Sequence, residues 1–99
     1  MIVENKEFSK QLEERTRAFG LSVIKLSASL PNTAEARVIK NQITKSGTSI
    51  GANYREANRS RSKADFSNKI KICESEASET TYWLEIISDL NWVEHQNMK

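Results

Sequence analysis

Phe66, Ile70, Cys73, Ala77, Thr80, Leu84 and Ile87 are spaced alternately by four and three. This heptad spacing puts all seven on one seam of an α-helix. A strand would alternate its faces with period two and scatter them. A seam of this kind is buried only against other helices, so the spacing predicts coiled-coil-like bundle packing. Ile72, Trp83 and Ile86 widen the apolar face, and the helix is expected over about 63–90. Ser62 followed by Asp65 resembles a capping box with aspartate in place of Glu or Gln, which starts it.

Two further helices precede this one. Phe8, Leu12, Arg15 or Thr16, Phe19, Val23, Leu26 and Leu30 step by three and four, predicting a helix over about 5–29. Gly20 falls inside that pattern at a cost of about 1 kcal/mol relative to alanine. Pro31 stops the helix, because proline lacks the N–H and disfavours helix at the residue before it. Thr33 is a fitting N-cap for a second helix over about 34–59, with Glu35 in its first turn. Its inward stripe is read as Val38, Ile39, Ile43, Ser46, Ile50, Asn53 and Ala57. Gly47 and Gly51 lie among Ser46, Ser49 and Ala52, which points to close helix packing, or else to a kink.

Asn91 and Glu94 have capping-box spacing and open a stub of a fourth helix over 91–99, too short to be stable alone. The fold expected is therefore all-α: an up-down antiparallel bundle of the four-helix type, one domain, with three long helices and a truncated fourth. At 37% hydrophobic and 28% charged, the chain supports only a thin core, which favours self-association. No run is long and apolar enough for a membrane span, and no leader opens the chain, so a cytoplasmic protein is expected.

Catalysis finds little support, and the expectation is a protein that is not an enzyme. His95 is the only histidine, and Cys73, the only cysteine, is read as an inert thiol in the seam. No spacing suits a metal, no glycine loop suits a phosphate, and no cofactor is expected.

Charge is segregated more than the net +2 suggests. Residues 37–71 carry nine basic and two acidic groups, while residues 72–99 carry one basic and six acidic. A hairpin turning near Ser60 and Arg61 sets Glu76 opposite Lys45 and Glu85 opposite Arg37, as surface ion pairs. Arg55, Arg59, Arg61, Lys63, Lys69 and Lys71 have few acidic partners within reach. They form either a solvated charged tip or a polyanion-binding surface, with Tyr54 beside Arg55 to offer stacking.

The stretches SGTSIGANYREANRSRSKADF (46–66) and KIKICESEASETTYWLEII (69–87) resemble the small helical-bundle family encoded in intervening sequences of bacterial 23S ribosomal RNA genes. The resemblance runs from the Leu30-Pro31 corner to the end of the third helix. It implies an up-down bundle that assembles as a ring, a homopentamer in members of known structure. It also implies a relation to the accessory variability proteins of diversity-generating retroelements, which bind nucleic acid and a reverse transcriptase. By that similarity Arg55, Arg59, Arg61, Lys63 and Lys69 become expected RNA or DNA contacts. Asn53, Tyr54, Glu56, Glu79, Tyr82 and Trp83 fit the pattern as positions of packing and helix–helix hydrogen bonding. Family members usually continue through a full fourth helix, so a groove between the first and third helices is expected to be open unless another subunit covers it.

Three functions compete on this reading. One is a non-enzymatic oligomeric bundle that binds RNA or another nucleic acid through the hairpin tip. Another is a structural or adaptor ring docking protein partners on the groove and on Tyr82 and Trp83. The last is a truncated, non-functional family member.

Overall fold

The computed structural model describes residues 2–93, with side chains from Lys6 onward. It is all-α, with three helices and no strand among the described residues: α1 (Ile2–Ala28), α2 (Ala34–Ala57) and α3 (Lys63–Asp89). The molecule measures 46 × 25 × 17 Å. Helices α1 and α3 each pack along α2 and, among the described residues, do not pack on one another. The result is a shallow layer with α2 at its centre, and a four-helix bundle is not formed by the described residues.

Local signals set the helix ends. The Ala36 N–H donates to Thr33 Oγ1 at 3.1 Å, and the Asp65 N–H to Ser62 Oγ at 3.0 Å. Each bond satisfies an amide that the first turn leaves unpaired. Helix α2 stops at Ala57, two residues before the expected Arg59. Its end tightens into a 3₁₀ pattern, with Arg59 N–H donating to Glu56 O and Ser60 N–H to Ala57 O.

Asn91 does not cap a fourth helix. It takes φ 55°, in the left-handed region, where an N-cap would be extended. Asn91 N–H donates to Ser88 O and Trp92 N–H to Ile87 O, the paired bonds of a Schellman motif. Asn91 therefore closes α3 and turns the chain back on itself. Trp92 and Val93 pack against the core, and the remainder of the expected stub, 94–99, lies outside the described residues.

The core gathers at this end. Val23, Leu30, Ile43 and Ile87 are buried together, with Leu26, Ile39, Trp83 and Leu84 packed around them. Between α1 and α2 the contact is built from small groups. A Cβ on Gly47 would lie 2.8 Å from Val23 Cγ1, and one on Gly51 would lie 3.2 Å from the Thr16 carbonyl carbon. The glycines are there for close approach, and α2 runs unbroken through both.

The expected inward stripes are covered only in part: Val23, Leu26 and Leu30 of α1 and Ile39, Ile43, Ser46 and Ala57 of α2 are packed inside. Gly20 and Ser27 are buried in α1, while Phe8 is 62% exposed and Phe19 also lies open. In α2, Ala36 is buried and Val38 is 58% exposed, so Val38 leaves the inward stripe. The seam of α3 is half covered. Thr80 and Ile87 are buried, Ile70, Cys73 and Leu84 half-buried, and Phe66 and Ala77 exposed.

Candidate nucleic-acid interface

The corner between α2 and α3 is built from Asn58 to Ser62, and it carries two of the five expected contact residues, Arg59 and Arg61. Lys63 opens α3 directly after it. All three are exposed. The only ion pair among the described residues is elsewhere, so these cations face solvent unneutralised.

Arg55 is not unpartnered. Its Nε lies 3.6 Å from Glu13 Oε1 on α1, with the two side chains 50% and 30% exposed. Glu13 Oε2 also accepts a 2.8 Å hydrogen bond from Asn58 Nδ2. One carboxylate thus joins α1 to both the last turn of α2 and the start of the corner. Glu13 and Asn58 carried no role in the sequence reading. An antiparallel register drawn about Pro31 sets Glu13 opposite Ser49, nearly two turns short of Arg55, so the turn alone did not bring the two together.

Other expectations shift. Lys69 is half-buried on the side of α3 that faces α2, apart from the corner. Tyr54 is only 7% exposed, which agrees with the packing position the resemblance implies and leaves no face for stacking. The Glu76–Lys45 and Glu85–Arg37 pairs are not formed. The register across α2 and α3 is set instead by Thr80 Oγ1, 2.8 Å from Ser46 Oγ, and by Cys73 Sγ, 3.5 Å from Ile50 O. Both put α3 a few residues out of step with the hairpin drawn from its turn.

The hydroxyl-rich interior is internally satisfied. Thr16, Thr48, Ser49 and Thr80 each reach the carbonyl four residues back. No buried side-chain N or O among the described residues lacks a partner. Burial pushes the Cys73 thiol up, with a smaller push from Glu74, against the pull of its backbone hydrogen bond. No group of residues that could hold a metal ion occurs among the described residues. No described helix is long and apolar enough to cross a membrane.

Two surfaces flank α2. On one side lies an apolar flank. Phe8, Phe19 and Leu26 share one face of α1 and Phe66, Ala77 and Leu84 one face of α3, each set eleven and then seven residues apart. Leu26 and Leu84 from these sets meet the core, while Phe8, Phe19 and Phe66 are exposed. On the other side, α1 and α2 enclose an open groove of about 410 Å³. Thr16, Gly20, Thr48 and Gly51 lie along its floor, where the helices approach most closely. Arg17 on α1 and Arg55 on α2 also line it, together with Glu13 and Glu56.

The family model of the 23S rRNA-intervening sequence protein matches residues 8–99. The chain belongs to this family. It is similar to a crystal structure of a protein of unknown function from the S23 ribosomal protein family of Bacteroides thetaiotaomicron, with 37% identity and a TM-score of 0.80. The match covers 90% of this chain and 80% of the other. Comparison with curated proteins finds no match. For this member of the 23S rRNA-intervening sequence family, the corner carries Arg59, Arg61 and Lys63 together. Arg55 stands beside them in a carboxylate clamp, and Lys69 lies apart.

Proposed function

We propose that this protein is a non-enzymatic, self-associating bundle that binds nucleic acid through the corner between α2 and α3. The observation that carries this reading is the cluster of Arg59, Arg61 and Lys63: exposed, close together in the chain and without a carboxylate partner among the described residues. Cations in that state bind a phosphate backbone by releasing its condensed counterions, and each phosphate contact adds about 0.7–0.9 to the logarithmic salt slope.

The test is Arg59/Arg61/Lys63→Glu, titrated with a structured RNA across a range of salt. The expected result is weaker binding and a salt slope smaller by about 2–3 units, with helicity unchanged. A folded variant that keeps both the affinity and the slope of the parent sinks the proposal.

Self-association is supported by the open apolar flank: Phe8 and Phe66 are exposed, and a second chain packed on that face would bury them. Light scattering on nucleic-acid-free protein in high salt reads the assembled mass. Phe8→Ser with Phe66→Ser is expected to lower it. A parent that elutes at single-chain mass at all concentrations rules this part out.

A further inference from the structure

The groove between α1 and α2 has no part in the reading above. Its volume, about 410 Å³, is in the range of small-ligand sites, roughly 300–1,000 Å³. Its floor carries no large side chain, because Gly20 and Gly51 bring the two helices close. Leu21 and Ile24 stand along the α1 side, each nearly half exposed. Arg17 and Arg55 come to it from opposite helices, and Glu56 adds an exposed carboxylate.

An unstacked nucleobase is held by these kinds of group. Its faces lie against apolar side chains or guanidinium planes, and its amino edge donates to a carboxylate. A phosphate fits less well. Glu13 already pairs with Arg55, and the lining holds two arginines and two glutamates, so the groove has far less positive charge than the corner. Arg55 sits in the last turn of α2, immediately before the corner. A strand whose phosphates lie on Arg59 and Arg61 therefore passes the mouth of the groove.

We infer that this groove receives one unpaired nucleobase from a nucleic-acid strand whose backbone lies on the corner. The inference rests on the nucleic-acid reading above and specifies the kind of strand: one with unpaired nucleotides. Glu13 serves as a positioning residue, holding Arg55 at the rim through the 3.6 Å ion pair.

Two variants test it. Ala52→Phe fills the groove from an exposed helical position, and Arg17→Ala removes one exposed guanidinium. The probes are a single-stranded RNA oligonucleotide and a fully paired RNA duplex of the same length. Both variants are expected to bind the single strand at least about fivefold more weakly, the scale of one lost stacking contact. Duplex affinity is expected to stay within about twofold for Ala52→Phe, and the corner variant is expected to weaken both probes.

If Ala52→Phe loses helicity, Arg17→Ala alone decides. Single-strand binding at parental strength in the folded groove variants, with the corner variant still weakened, overturns the inference and leaves the nucleic-acid reading standing. An equal loss on both probes also overturns it, since no base is then being read. Parental binding by the corner variant instead removes the reading on which the inference rests.

Discussion

Thr80 Oγ1 and Ser46 Oγ lie 2.8 Å apart at a fully buried point between α3 and α2. Each hydroxyl also has a carbonyl on its own helix, Glu76 O at 2.8 Å and Ile43 O at 3.4 Å. Either direction of the shared proton satisfies both groups. Thr80→Val deletes the bridge and leaves Ser46 its longer bond alone. The expected loss is about 1 kcal/mol, which lowers the melting temperature by about 4–8 °C for a chain of this size. Adding Ser46→Ala should cost less than the two single losses combined, because the second change removes a group already deprived of its partner. A double-mutant cycle by thermal denaturation reads this directly.

The three glycines respond differently to alanine. A Cβ on Gly20 meets nothing nearer than 3.6 Å, so Gly20→Ala recovers the helix propensity, up to about 1 kcal/mol. At Gly47 the new methyl meets both methyl groups of Val23, a stiff, buried side chain. Overpacking of that kind costs about 1–3 kcal/mol and outweighs the gain. Gly51→Ala presses on the Thr16 backbone and is also expected to lose stability. Melting curves of the three variants should therefore rise for Gly20 and fall for the other two.

Glu13 makes two bonds of different kinds, and salt separates them. Glu13→Gln removes the half-exposed ion pair with Arg55 but keeps an acceptor for Asn58. It should cost no more than about 1 kcal/mol, and the cost should shrink at high salt. Glu13→Ala removes both bonds, and the part owed to Asn58 should persist at high salt. Denaturation at low and high ionic strength distinguishes the two.

Cys73 is expected to react slowly. Burial favours the neutral thiol, so the rise of alkylation rate with pH should be displaced upward relative to a free thiol, and denaturation should restore the ordinary profile. The linked stability has the same sign: it is present below the unfolded thiol's pKa and is lost as pH rises through the folded one. Iodoacetamide labelling across alkaline pH, with and without denaturant, is the measurement.

What could be read from the sequence was what closes within a few residues. Thr33 and Ser62 cap helices because each bond spans three residues, and the small groups around Gly47 and Gly51 announce close approach by composition alone. The α1 stripe was legible at one end only: Val23, Leu26 and Leu30 reach the core as its spacing predicts, while Phe8 and Phe19, on the same face, stay exposed because α3 does not reach across to α1. The ion pairs failed for another reason. Their register was drawn from the turn, whereas Thr80 and Ser46 fix it from the interior. At the candidate site, exposure of the corner cations followed from charge counting, but the clamp on Arg55 needed the position of α1.

The Schellman turn at Asn91 brings Trp92 and Val93 onto the end of the layer where Val23, Leu30, Ile43 and Ile87 are already buried. The corner lies at the opposite end, held by Tyr54, Ala57 and the Glu13 clamp. Opening free energy is therefore expected to be graded along the long axis. Backbone amides around Asn58–Lys63 should exchange with solvent through small local openings, and those near Ile43 and Ile87 only on global unfolding. The cations are thus carried on the end of the layer with the smaller core, and a ligand that orders the corner should slow exchange there first.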